Sequence, residues 1–143
     1  MTDSRLYPSR PFLAASAAVF RDGKVLLASR TKPPADKVFS LPGGIVELGE
    51  TLQEAALREL MEEVGVAAEV IGLAGHVDII ERETDGRIVR HFVVNAFACR
   101  WVAGEPQTGP EAGEVRWVEP ERVDDLPTSP HLARLVRQAA ALL

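Results

Sequence analysis

Apolar residues come in short runs along this chain, and the period of the runs changes partway. Phe12 to Phe20 reads Phe-Leu-Ala-Ala-Ser-Ala-Ala-Val-Phe, nearly continuous in apolar character. Arg21-Asp22-Gly23-Lys24 follows as a turn, and Val25-Leu26-Leu27-Ala28-Ser29 as a second apolar run. This predicts strands near 12–20 and 24–30 joined as a hairpin. Residues 31–40 contain Pro33-Pro34 and read as a loop, and 44–48 as a short strand or turn. The period then becomes helical. Thr51 is the expected N-cap, Glu54 completes a capping box, and Gly65 ends the helix, placing it at about 51–64. Leu57, Leu60, Met61 and Val64 form the apolar stripe expected to face a core.

Beyond the helix, 67–83 reads as a strand or strand pair interrupted near Gly72 and Gly75. Asp85-Gly86 marks a hairpin turn into a long strand from Ile88 to Trp101. Gly104-Glu105-Pro106 opens a loop reaching to about 113, before a short strand at Val115-Arg116-Trp117-Val118. Pro120 to Leu126 suggests a helical turn, and His131 to Leu143 an amphipathic helix. Strands and helices interleave without a clean βαβ repeat, so the fold class is α/β with a mixed sheet.

The polar flank of the first helix brings chemistry into view. Glu59, Glu62 and Glu63 share a stripe apart from the apolar one, with Glu59 and Glu63 one turn apart. Like charges at that spacing oppose the helix by about 0.2–0.5 kcal/mol per pair. A divalent cation among the carboxylates would offset this, and oxygen-only ligands suit Mg²⁺, Mn²⁺ or Ca²⁺. The plainer alternative is a solvated acidic face, with Arg58 pairing Glu62 on the surface. The preceding Leu41-Pro42-Gly43-Gly44-Ile45-Val46-Glu47-Leu48-Gly49-Glu50 tips the balance. Its glycines let backbone approach a ligand closely, so a bare carbonyl can face the same metal.

Composition narrows the class without naming it. A 143-residue chain with 46% hydrophobic and 26% charged residues suits one domain, expected over 1–143. The net charge of −5 argues against a nucleic-acid polymer as partner and leaves a small nucleotide compatible. Cys99 is the only cysteine, which excludes an internal disulfide or a cysteine zinc cluster and favours a reducing, cytoplasmic setting. The Phe12–Phe20 run superficially resembles a signal peptide, but it is short and leads straight into a turn, so a buried strand is expected. No segment is long enough for a membrane helix, and no membrane partner is expected.

The full spacing is Gly44, five residues, Glu50, seven residues, Arg58-Glu59-Leu60, one residue, Glu62-Glu63, one residue, Gly65-Val66. At average residue frequencies it would arise by chance on the order of 10⁻⁸–10⁻⁷ per chain. From Gly44 to Val66 the chain resembles the Nudix hydrolases, matching every fixed position of their signature. The resemblance implies an α/β/α sandwich and Mg²⁺-dependent hydrolysis (Mn²⁺ as a substitute) of a nucleoside diphosphate linked to another moiety. It implies Glu59, Glu62 and Glu63 as metal ligands, with the Gly43 carbonyl as a further one. It further implies catalytic roles for Glu59, Glu62, Arg58 and Glu111, with Glu59 also placing the attacking water. Arg58 and Glu50 orient the cluster. A distal glutamate often completes such a site, and Glu111 and Glu114 both precede the last strand. Glu111 is favoured because it lies farther into the loop. Glu114 is the alternative, or both are loop charges.

Substrate contacts are less marked. Arg30, Lys32 and Lys37 flank the proline loop and are candidates for phosphate, against a reading as solvated charges. Gly44 offers backbone to the substrate, and His91 is a candidate contact or a plain strand residue. His76 and His131 are read as structural, and Trp117 and Phe92 as packing residues. The family's ADP-ribose subgroup tends to carry a proline shortly past the box, and its diadenosine-polyphosphate subgroup a tyrosine. Here the next proline after the box is Pro106 and the only tyrosine is Tyr7. Both subgroup markers are missing, so neither subgroup is singled out, and the broad class of a (d)NTP or a nucleotide sugar such as ADP-ribose is the expected substrate. A catalytically silent nucleotide sensor and a structural metal domain are the alternatives; the intact box disfavours the former and the glycine loop the latter. A homodimer is compatible, although no sequence feature decides it.

Overall fold

The computed structural model describes residues 5–31 and 37–143. Strands β1 (Phe12–Arg21), β2 (Lys24–Arg30), β3 (Phe39–Ser40) and β4 (Gly43–Ile45) precede helix α1 (Leu52–Val64). Then follow β5 (Ala67–Arg82), β6 (Ile88–Ala103), β7 (Ala112–Val118), a 3₁₀ turn at Pro120–Asp125 and helix α2 (Leu132–Ala140). The strands form one seven-stranded mixed sheet in the order β3-β2-β1-β6-β5, with β4 joined to β1 and β7 to β2.

β1 explains most of this layout. Its run from Ala14 to Phe20 is buried throughout, as suits a central strand covered on both faces. One edge pairs in parallel with β6 from Phe12↔Phe92 to Phe20↔Arg100. The other edge is shared. β2 holds it at Phe20 and Arg21, while β4 holds it at Ala14 to Ser16. β2 meanwhile turns away to pair with β3 and β7. The sheet thus forks beside β1, with β4 on one arm and β7 on the other.

Alternate residues of β1 enter opposite cores. Ala15, Ala17 and Val19 join Ala55, Ala56, Leu60 and Val64 of α1, while Ala18 and Phe20 join Leu132, Leu135, Val136 and Ala139 of α2. With period 2 along the strand, the two helices therefore cover opposite faces. This is an α/β/α sandwich. Cys99 lies buried in the α1-side core, and burial pushes its thiol up to about 12.

Several boundaries differ from the sequence-based expectation. Met61 was expected in the core stripe, yet it is 51% exposed. Ala55 and Ala56 are fully buried alongside Leu60 and Val64, so the buried face is shifted round the helix and Met61 points outward. The expected loop 31–40 ends in β3, where the Phe39 N–H donates to Pro127 O at 2.8 Å. Residues 67–82 are one strand, with register shifts at Val70/Gly72 and Leu73/Gly75. A Cβ on Gly75 would lie 2.7 Å from Gln138 Oε1, so that glycine makes room for α2. β7 begins at Ala112 rather than Val115, because the buried Ala112 pairs with Arg30.

Candidate active site

The fork places β4, α1 and the start of β7 around one spot. The helix is fixed first. Thr51 Oγ1 accepts from the Glu54 N–H at 3.1 Å, and Glu54 Oε1 accepts from the Thr51 N–H at 2.9 Å. Gly65 closes the helix in the left-handed region at φ 72°. Ala55, Glu59 and Glu63 form one i, i+4 row beside the buried Ala56-Leu60-Val64 row. The two glutamates therefore stand at the margin of the core, and the Glu59 side chain is only 15% exposed.

Glycine is required opposite them. A Cβ on Gly43 would lie 2.5 Å from Ala15 O, inside the β1–β4 pairing. A Cβ on Gly44 would lie 2.5 Å from Glu59 Cδ, inside the carboxylate itself. Real Cβ atoms do not approach that closely, so the backbone meets Glu59 only where it has no side chains.

Arg58 organises the other flank. Its Nε donates to Glu50 Oε2 at 2.7 Å and its Nη2 to Glu50 Oε1 at 3.0 Å, a bidentate pair. Nη2 also donates to Ile45 O at 3.1 Å, and Nη1 to Glu59 Oε1 at 2.9 Å and Glu62 Oε2 at 3.2 Å. Glu50 foremost holds the guanidinium charged well above its ordinary range. In return Arg58, then the Glu47 backbone, holds the Glu50 carboxyl below the usual carboxylate value. Sequence reading missed Glu47, which adds a longer contact to Arg58 at 3.8 Å and whose N–H donates to Glu50 Oε1 at 2.9 Å. The i, i+3 spacing of Glu47 and Glu50 was the available signal.

Glu59, Glu63 and Glu111 converge, each offering a carboxylate oxygen within 4.8 Å of the others. Burial, then the charges of Glu59 and Glu111, raise the Glu63 carboxyl to about 8, while a backbone hydrogen bond at Gly43 draws it partly back. The trio thus carries more negative charge than its surroundings compensate. Its donors are all oxygen, which suits a hard divalent cation.

Other expected site residues lie elsewhere. Glu62 does not join the trio. Its side chain is 60% exposed and turned to Arg58. At about 100° per residue it lies roughly 60° round from Glu59, away from the core. Glu114 is exposed and pairs with Arg116. Arg30 ends β2 opposite Ala112, one residue from Glu111, so its exposed side chain starts at the rim of the trio. His91 pairs with Ile80 and lines a hollow of about 190 Å³ with Pro8, Ser9, Arg10, Pro11 and Ile88. It lies five residues along β6 from Ala96, which is level with Gly43, hence roughly 16 Å away along the strand. The structure does not bring it to the carboxylates. Lys37 is turned at φ 67° at the loop end, and Lys32 falls outside the described residues.

Sheet, flanking helices and a glycine pair in β4 facing clustered glutamates together define an α/β/α domain with a candidate metal site. The Nudix domain family matches residues 10–139, and the chain belongs to that family. It is 35% identical over 115 residues to an ADP-ribose pyrophosphatase from Methanocaldococcus jannaschii, covering 80% of this chain and 65% of that protein. The chain thus spans just under two thirds of that relative's length. It is 34% identical over 119 residues to the CTP pyrophosphohydrolase of Escherichia coli K12, covering 80% of this chain and 81% of that one. Among solved structures, a MutT Nudix hydrolase from Burkholderia pseudomallei superposes with a TM-score of 0.74 at 30% identity, covering 91% of this chain and 98% of that one.

Proposed function

We propose that this chain hydrolyses the diphosphate linkage of a small nucleoside diphosphate derivative, with Mg²⁺ held by Glu59, Glu63, Glu111 and the Gly43 carbonyl. The observation that carries this reading is the convergence of the trio within 4.8 Å beside the Gly43–Gly44 pair of β4, where there is no room for a side chain. When bound, such a cation would neutralise phosphoryl charge and help acidify a water.

The rest is done by the chain. Arg58 ties Glu59 to Glu50 and to the Ile45 carbonyl, so the Glu59 carboxylate is held in one orientation. Gly44 leaves bare backbone beside it, where a diphosphate can approach. Glu111 is the exposed member of the trio and is placed to accept a proton from water. Glu62 adds charge at the rim through Arg58 rather than serving in the trio. Among the described residues, Arg30 is a candidate to meet an outlying phosphate, since it pairs with Ala112 next to Glu111.

The relatives act, by their names, on ADP-ribose and CTP, and these set the first two substrate classes to try. The test is a panel of ADP-ribose, CTP and (d)NTPs incubated with Mg²⁺, with release of phosphate, pyrophosphate and mononucleotide measured. Turnover that requires Mg²⁺ is expected on at least one class. Tight nucleotide binding without turnover on any of them would overturn the reading in favour of a nucleotide sensor.

A further inference from the structure

We propose that Thr31 is a positioning residue for Glu111, its hydroxyl holding the turn that aims this carboxylate at Glu59 and Glu63. The proposal rests on the reading of Glu111 as a metal ligand.

Glu59 and Glu63 are set by a helix. Glu111 is set by a loop, and the loop's hydrogen bonds show what fixes it. The stretch before Glu111 is tied down at several points. Arg21 lies 3.8 Å above the Trp101 ring and pairs with Glu105 at 2.9 Å. Trp101 Nε1 donates to Gly104 O at 2.8 Å, and the Gln107 N–H to Val64 O at the end of α1 at 2.9 Å. The stretch after Glu111 is fixed as well, because Ala112 is buried and paired with Arg30.

Between these anchors, Glu111 stands in a tight turn that the Gly109 N–H closes by donating to Ala112 O at 3.0 Å. Pro110 within it has no N–H to contribute. Thr31 Oγ1 supplies the side-chain tether, donating to Pro110 O at 2.7 Å, one residue from the carboxylate. A register shift between Ala28 and Arg30 directly precedes Thr31. Irregularities of that kind re-aim neighbouring residues. The Thr31 methyl faces Gly113, where an added Cβ would lie 3.4 Å from Thr31 Cγ2. The side chain thus lies along the start of β7 with its hydroxyl toward the turn.

The two functions of this side chain separate cleanly. Thr31→Val keeps the β-branched shape and loses the donor. Thr31→Ser keeps the donor and loses the methyl. Both are compared with Glu111→Gln and with the Thr31→Val/Glu111→Gln double variant in the full-length chain. The probe is Mn²⁺ alone, with free ion followed by electron paramagnetic resonance. Thr31→Val is expected to weaken Mn²⁺ binding roughly three- to tenfold, the range for one hydrogen bond. Thr31→Ser should restore most of it, and Thr31→Val should add nothing further in the Glu111→Gln background. Native affinity in Thr31→Val overturns the proposal. So does a loss shared by Thr31→Ser, or a loss that persists undiminished without Glu111. Native affinity in Glu111→Gln instead overturns the underlying assignment of Glu111.

Discussion

α1 and α2 cover opposite faces of one sheet, and different physics holds each in place. α2 enters from His131 in the left-handed region, at φ 69°, without a side-chain cap, and buries Leu132, Leu135, Val136 and Ala139. Its polar contacts are few and lie at the surface, such as Arg134 to Gln138 at 3.1 Å. α1 has a reciprocal capping box, a left-handed glycine end and a five-partner arginine on its flank. It also packs on the sheet, burying Ala55, Ala56, Leu60 and Val64. α1, which carries the candidate ligands, adds directional bonds to its apolar packing, while α2 is positioned by apolar packing alone save for a few surface contacts. Directional bonds fix rotation about the helix axis, which carboxylates facing the glycines of β4 require and a packing helix does not.

Glu63→Gln is the sharpest way to break that contrast. It is nearly isosteric, so turnover should fall by about 10³-fold, beyond the roughly 10–100-fold typical for losing a partner behind a metal ligand. Steady-state kinetics with Mg²⁺ checks this, and ordinary turnover would sink the metal assignment. On the other face, Leu135→Ala should destabilise the fold by about 2–5 kcal/mol in denaturant unfolding, with turnover per folded molecule little changed.

The charge on α1 predicts a subtler asymmetry. The folded Glu63 carboxyl is raised to about 8 from 4.5, so the folded state binds more protons than the unfolded state between those values. Metal-free protein should therefore lose stability as pH rises through that window, with its melting midpoint falling by a few degrees. Stabilisation by Mg²⁺ should grow over the same range, and a metal-free midpoint that rises instead would contradict the burial of that charge. The smallest effect is expected for Glu62→Gln, whose exposed carboxylate faces Arg58 and not the trio, with a loss in turnover of roughly tenfold or less. A loss equal to that of Glu63→Gln would erase the distinction between the half-buried row and the rim.

What was legible in the sequence follows the range of the interactions. The capping box, the Gly65 terminus and the Arg58–Glu50 pair arise from spacings of a few residues, and residues 50–65 already contain them. The burial of β1 was readable from its nearly continuous apolar run, broken only by Ser16. Met61 was misplaced because helical period alone cannot tell whether alanine or methionine meets the sheet. Only the close approach of β1 decides that. β3 and the early start of β7 depend on partners from Pro127 and Arg30, far apart in sequence, so no local pattern marks them. The different placements of Glu111 and Glu114 likewise depend on pairing, since Ala112 in register leaves Glu111 near Glu59 and Glu63 and Glu114 beside Arg116.

The lone cysteine gives the molecule a clock. Cys99 lies in the core beneath α1, with a thiol that stays protonated far above neutral pH. A reagent that needs thiolate reaches it only when that layer parts from the sheet, and the chain has no second thiol to blur the signal. Its modification rate therefore counts openings of the layer that carries Glu59 and Glu63, using an atom that takes no part in their chemistry.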